Sequence, residues 1–287
     1  MATSACHSLK PVLGVTFHGV RGSTPAPGPD TVRYGGNTAC VALEVPGQDP
    51  IVLDLGTGLR SWAATLDPAA PVRATALLSH LHLDHVQGLP FFEPLRRPGA
   101  SLHVYGPDPG EGPIGRMLGD LFRPPWFPEP PVGIRFSDCA DEELSVGGAK
   151  VWVRSVPHRG PANGYRVEWE GVSVAYVTDH QAPPGLDTVP EPVLELADGV
   201  DLLIHDAQYT AAEWGQRSCW GHSTVDYAVL VARQAGARRL ALFHHDPARS
   251  DDDVDRLLEG ARRSAERLGV DEVLAAAEGL TVSFERP

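Results

Sequence analysis

Hydrophobic and polar positions alternate in short bursts along this chain, and β-branched or aromatic residues fill most of them. The runs VLGVTF (12–17), CVALEV (40–45), IVLDL (51–55), ATALLS (74–79), VWVRSV (151–156), YRVEW (165–169), VSVAYV (172–177), DLLIH (201–205) and LALF (240–243) predict strands, with Gly, Pro and Asp between them. Glu170-Gly171 separates two of these runs and predicts a tight hairpin. Helical periodicity is rarer. Residues 224–236 begin at a Ser/Thr cap and stop at Gly236. Residues 251–268 put Val254, Leu257, Leu258, Ala261, Ala265 and Leu268 on one stripe, between a Ser250 cap and Gly269. Strands precede helices in both halves, which predicts an α/β chain of two packed sheets with helices outside.

Residues 106–131 break this pattern. They are rich in Gly and Pro yet carry Leu118, Leu121, Phe122, Trp126 and Phe127, aromatic content that a disordered linker would lack. A lid over a site and an ordinary packed connection are equal readings. Residues 1–10 are expected to be a flexible leader to a single domain spanning 1–287. They have neither the apolar nor the basic region of a signal peptide. No apolar run approaches the roughly 20 residues that cross a bilayer. Cys6, Cys40, Cys139 and Cys219 are scattered without a C-x-x-C pair, which fits a reducing cytoplasm.

Twenty-four Lys and Arg stand against 37 Asp and Glu, a net charge of −13. That balance argues against non-specific nucleic-acid binding, which needs clustered cations. The histidines carry more information. In SHLHLDH (79–85) an apolar strand runs into His80, His82, Asp84 and His85. Strand ends that open into loops are where a rigid scaffold can hold chemistry. His80 and His82, two apart in an extended segment, face one side and can share an ion, while Asp84 and His85 can reach a second. Imidazole with carboxylate and no thiolate suits catalytic Zn²⁺, with Mn²⁺ or Fe²⁺ as alternatives.

H-x-H-x-D-H after a buried strand resembles the signature of the metallo-β-lactamase fold. His158 in VPHRG, Asp179 in VTDH and His244 in LFHHDP follow in the order that superfamily uses, and LDLGTG (53–58) resembles its first motif. The resemblance implies an αββα sandwich of two mixed β-sheets flanked by helices. It implies one ion on His80, His82 and His158, another on Asp84, His85 and His244, Asp179 between them, and Asp54 supporting the site from behind. A hydroxide between the two ions would be the nucleophile, since two cations depress the pKa of water. His244 rather than His245, and Asp179 rather than His180, fit the pattern. For His7, His18 and His103 a surface or structural role is expected.

HDAQYT (205–210), GHST (221–224) and the glycine-rich GVRGSTPAPGPDTVRYGGNTACVAL (19–43) resemble the ribonuclease Z and phosphodiesterase branch, with Asp206 where those proteins carry glutamate. The resemblance implies that His222 protonates the leaving alkoxide, oriented by Asp206; the shorter aspartate puts direct contact in question. A basic tRNA-clamping arm is missing: 106–131 holds Arg116 and Arg123 against Asp108, Glu111, Asp120 and Glu129. A small phosphodiester, such as a cyclic nucleotide, is therefore expected rather than tRNA, with a homodimer compatible. Arg21, Arg33, Asn37, Arg159 and the backbone N–H groups of GVRGST and YGGNT are candidate substrate contacts. The competing expectation is a hydrolase of carboxylic esters, lactones or thioesters on the same ions, without need of His222. An oxidoreductase or a silent binding module fits less well, because no electron-carrier domain accompanies the chain and the ligand set is complete.

Overall fold

The computed structural model describes residues 11–125, 127–128 and 132–285. The expected flexible leader, with Cys6 and His7, lies outside them, as do Trp126 and Glu129 of the 106–131 segment. Strands β1 (Pro11–Gly19), β2 (Cys40–Glu44), β3 (Ile51–Leu53), β4 (Arg73–Leu77), β5 (Ser101–Gly106) and β6 (Ile134–Asp138) lie in that order in one sheet. Strands β7 (Glu143–Val146), β8 (Ala149–Ser155), β9 (Asn163–Trp169), β10 (Val172–Val177), β11 (Leu202–Asp206), β12 (Arg239–Phe243) and β13 (Glu272–Ala275) form the other. The last strand, β14 (Thr281–Glu285), returns to pair antiparallel with β1 and completes the first sheet. Each sheet joins an antiparallel part to a parallel part: β3 through β6 run parallel, and so do β10 through β13.

Alternation explains the sandwich. Leu13, Val15, Phe17, Val41, Leu43 and Leu53 of the first sheet meet Val151, Val153, Tyr165, Val167, Ile204 and Phe243 of the second in one apolar cluster. The opposite faces bury against helices. Val52, Ala76 and Val104 pack with Leu59 and Trp62 of α1 (Gly58–Ala63). The short α2 (Leu83–Val86) and α3 (Ile114–Gly119) complete that layer with Val86, Ile114 and Leu118. Leu203, Leu240 and Leu242 pack against α4 (Glu191–Ala197), α6 (Val225–Ala235) and α7 (Asp251–Leu268). Trp214 of α5 (Ala211–Arg217) joins that cluster. The expected αββα arrangement of two mixed sheets is observed.

The predicted hairpin forms: Trp169 pairs with Val172, and Glu170 and Gly171 take φ 51° and 82°, as a two-residue primed turn requires. The caps also fall where the polar residues predicted them. Thr224 accepts from the Tyr227 N–H, Ser250 forms a capping box with Asp253, and Gly236 and Gly269 close their helices in the left-handed region. Leu268 departs from its predicted stripe and is exposed, because it lies in the last turn of α7. In the described part of the 106–131 segment, Leu118 and Phe122 are buried, and Phe127 meets Phe91 and Phe122 edge-on.

All the parallel strands deliver their C-terminal ends to one edge of the sandwich. Asp54 follows β3, Ser79 and His80 follow β4, Asp179 follows β10, Asp206 closes β11 and His244 follows β12. His158 joins them because β8 runs in the same direction as β10, two antiparallel steps away. Loops at the carboxyl ends of parallel strands are where open α/β sheets place ligands.

Candidate metal centre

The polypeptide concentrates unusual backbone at this edge. Of the seven described non-glycine residues with positive φ, Ser23, Asp54, Asp179 and His244 are at the cluster, with φ from 48° to 62°. Such residues persist where the surroundings over-determine them, and that is commonly a functional site.

Four histidines share one orientation. Each donates its Nδ1–H away from the centre: His85 to Asp54 Oδ2 (2.7 Å), His80 to Ser79 Oγ (3.0 Å), His244 to Gln208 Oε1 (3.1 Å) and His158 to the Gly221 carbonyl (2.8 Å). That fixes the tautomer and leaves every Nε2 as a lone pair directed inward, the arrangement of metal-ligating imidazoles. His82 is more exposed and brings Nδ1 to within 3.3 Å of His158 Nε2.

The inward atoms converge in two groups joined by Asp179. His80, His82, His158 and Asp179 offer ligand atoms within 4.8 Å of one another, and so do Asp84, His85 and His244. Asp179 Oδ1 lies 3.2 Å from His85 Nε2 and 3.0 Å from His244 Nε2, while its Oδ2 lies 3.6 Å from His80 Nε2. Asp84 Oδ2 is 3.2 Å from His85 Nε2 and 3.3 Å from His244 Nε2, and accepts the Ser23 backbone N–H at 2.7 Å. All seven residues named from the sequence as ligands are thus brought together.

The residues present fit two divalent ions. His80 Nε2 is buried without a hydrogen-bond partner, an orphan that a cation would satisfy. Burial opposes charge on His85, but Asp84, Asp179 and Asp54 outweigh it and hold the ring well above the usual imidazole range. His244 is likewise pushed up to about 10, against its burial, by Asp179 and Asp84. His80, faced mainly by other imidazoles, is driven well down by burial and by His85. Buried carboxylates at this density need positive charge, which two cations would supply.

Behind the ligands, Asp54 is fully buried and accepts four hydrogen bonds: Ser79 N–H to Oδ1, and Ser79 Oγ, His85 Nδ1 and Tyr176 Oη (2.6 Å) to Oδ2. Tyr176, Ser79 and Gln208 are supporting residues that the sequence reading missed. Only their inward register on β10 or their adjacency to motif residues could have flagged them.

His222 and Asp206 meet directly. His222 Nδ1 is 2.9 Å from Asp206 Oδ2, while Asp206 Oδ1 accepts the N–H groups of Gln208 (3.1 Å) and Ser223 (3.0 Å). The shorter carboxylate therefore still reaches the ring, because the β11 end and the Ser223 turn approach closely. Among the described residues His222 Nε2 makes no hydrogen bond, and the residue is 8% exposed at the mouth. Its Nδ1 also lies 3.6 Å from Asp179 Oδ2, so Asp179, Asp206, His222 and His244 form a further grouping of donors.

The alternatives at the paired histidines resolve by position. His245 turns away and donates Nε2–H to the Ala276 carbonyl, and His180 pairs with His205 through Nδ1. His103 bonds Ser137 and Arg135 on the outer strands.

Three of the expected substrate contacts are engaged with other parts of the protein. Arg21 is 0% exposed and is committed to the Gly35, Arg249 and Asp246 carbonyls, where it ties the glycine-rich loop to the segment before α7. Arg33 pairs with Asp252 and Asp255 of α7. Asn37 bonds Glu278 through both its backbone N–H and its amide. The Ser23 N–H of the GVRGST loop holds Asp84, so that loop positions a carboxylate rather than a phosphate. Arg159 alone stays at the mouth, donating to the Cys219 carbonyl at 2.8 Å.

The β-lactamase superfamily domain profile matches residues 50–245, and the chain belongs to that superfamily. It is 30% identical over 265 residues to the uncharacterised protein Rv1339 of Mycobacterium tuberculosis, covering 86% of each chain. It is also 30% identical over 234 residues to a ribonuclease Z of Porphyromonas gingivalis, covering 64% of this chain and 75% of that one. Among solved structures, the metallo-β-lactamase fold protein YhfI of Bacillus subtilis superimposes with a TM-score of 0.71 at 19% identity, over 96% of this chain and all of that one. A diphosphatase of the PhnP family superimposes at 0.70 and 21% identity, over 95% and 98%.

Proposed function

We propose that this protein is a dinuclear metal-dependent phosphodiesterase acting on a small phosphodiester such as a cyclic nucleotide, with Zn²⁺ the metal that best suits its ligands. The observation that carries the reading is the His222–Asp206 pair at 2.9 Å beside the double His/Asp cluster. An alkoxide leaving phosphorus needs a proton, and a histidine held by a carboxylate is suited to give one.

His80, His82 and His158 would hold one ion, Asp84, His85 and His244 the other, and Asp179 both. Ions held there would acidify a water and draw charge from a phosphoryl oxygen. The chain's own groups supply the remaining chemistry. Asp84, fixed by the Ser23 N–H, would take the proton of the attacking water. His222 gives its Nε2 proton to the leaving oxygen. Asp206, locked by two backbone N–H groups, keeps the Nδ1–H of His222 in place and stabilises the ring while it is charged. Relationship to a ribonuclease Z, and the fold shared with a PhnP-family diphosphatase, support chemistry at phosphorus. The net charge of −13 argues for a small substrate over tRNA.

The test is kcat/KM of the Zn²⁺-reconstituted protein on adenosine 3′,5′-cyclic monophosphate, a 2′,3′-cyclic nucleotide, an alkyl phosphodiester, a carboxylic ester, a lactone and a thioester. Phosphodiesters are expected to be preferred. A preparation that cleaves only carboxylic substrates would replace this reading with the ester hydrolase.

A further inference from the structure

A tryptophan stands exposed beside the catalytic pair. Trp220 has 55% of its surface accessible, in a chain whose other large aromatic residues are mostly buried. It is not on a loose loop. The Cys219 carbonyl before it accepts from Arg159, the Gly221 carbonyl after it accepts from His158 Nδ1 at 2.8 Å, and its own N–H donates to the Arg217 carbonyl at 3.0 Å. Gly221 sits at φ 96°, and a Cβ there would lie 2.6 Å from the His158 ring, so the turn is pressed against a ligand of the site.

A continuous wall leads inward from this indole. The Arg217 guanidinium lies 5.5 Å from the Trp220 ring and 5.2 Å from the Tyr209 ring, and Tyr209 meets the His222 ring edge-on at 5.6 Å. Arg217 Nη1 bonds Asp246 at 3.0 Å, while its Nε and Nη2 make no hydrogen bond among the described residues. Arg159 and Arg217 are therefore two cations beside the catalytic pair of an otherwise acidic protein.

We infer that Trp220 and Arg217 form the subsite for the group departing past His222, and that this group carries a planar aromatic base. The inference rests on the phosphodiesterase reading and narrows it to nucleotide substrates. The base stacks on the pre-positioned indole, which loses little entropy on binding because its turn is already tied. Arg217, 5.5 Å from the indole, offers its guanidinium N–H groups to the base edge or ribose.

Two measurements test it. In the first, the Zn²⁺-loaded protein with ¹⁵N-labelled indoles is titrated with adenosine 5′-monophosphate, and the Trp220 resonance, assigned by its loss in Trp220→Phe, is expected to shift and saturate. In the second, kcat/KM for adenosine 3′,5′-cyclic monophosphate is divided by that for glycerophosphoethanolamine. Trp220→Ala should lower this ratio about fivefold or more, through KM, and Trp220→Phe should retain most of it. An unmoved indole with an unchanged ratio overturns the subsite and leaves the phosphodiesterase standing. Failure of the wild type to cleave either diester ends the phosphodiesterase reading, and the indole titration then decides the stacking by itself. A Trp220→Ala protein that changes its oligomeric mass and keeps the ratio would assign the indole to a contact between copies, which also overturns the proposal.

Discussion

Replacing Asp54 by asparagine tests whether the cluster is held from behind by one carboxylate. Asp54 offers acceptors only, and four donors converge on it, three of them on Oδ2. Asparagine keeps one oxygen and turns the other position into a donor. If the amide nitrogen takes the Oδ1 place, it opposes the Ser79 N–H; if it takes Oδ2, it opposes three donors. The first arrangement is the cheaper, and it sets the new amide N–H against the Ser79 N–H, at a cost of about 1–3 kcal/mol for each donor left unmet. Against a typical stability of about 5–15 kcal/mol the protein should still fold. His85 then loses the charged partner of its Nδ1–H, and the affinity for the ion it would hold should fall about 10–100-fold. Competition with a chromophoric chelator, stepwise for each ion, measures this, alongside urea unfolding of the ion-free protein. Wild-type affinity for both ions in a folded Asp54→Asn variant would refute the supporting role.

Further outcomes follow from the same geometry. Elemental analysis of the reconstituted protein should give about two divalent ions per chain, and a value that stays below one would refute the dinuclear site. Gly221→Ala should destabilise the protein by at least about 1 kcal/mol in urea unfolding and weaken binding of one ion, because φ is positive and the new Cβ displaces His158; wild-type stability and ion affinity together would contradict it. Burial holds the His18 pKa down to about 4, so the unfolded chain binds its proton first and this group's stability is lost as pH falls from about 6.5 toward 4. His18→Leu should flatten that acid limb relative to wild type, and superimposable limbs would show that His18 contributes nothing to it.

The sequence exposed some of this architecture and hid the rest for physical reasons. Strands packed between the sheets, such as β1, β9 and β10, read clearly because long β-branched and aromatic runs fill them. The β5 stretch SLHVYG alternates as well, but its alternate positions are polar and it did not stand out. The outer or late strands β6, β7, β13 and β14 are short and half-buried, so their patterns are weak. The helices α6 and α7 showed themselves through caps and stripes, whereas α1 and α2, of six and four residues, are set by tertiary contacts rather than local preference. Ligand histidines are legible because they crowd a strand end. Tyr176 looks like any inward residue of a sheet, and its hydroxyl reaches Asp54 only through the packing of one sheet on the other. Arg21 misled for a similar reason: an arginine in a glycine-rich loop suggests phosphate, and nothing local announces that three carbonyls from distant segments enclose it.

The leaving-group dependence of His222→Ala decides whether His222 is the proton donor. In wild type and variant, kcat/KM is measured on a phosphodiester that releases an alkyl or ribose oxygen and on one that releases p-nitrophenolate, with ion content determined in each preparation. A general acid contributes about 10²–10⁴-fold where the leaving oxygen needs a proton and little where it does not. His222→Ala should therefore lose two or more orders of magnitude (about 10²-fold or greater) on the first substrate and little on the second, with both ions retained. Equal losses on the two substrates, or loss of an ion from the grouping that His222 shares with Asp179, Asp206 and His244, would contradict the assignment of His222 as the proton donor.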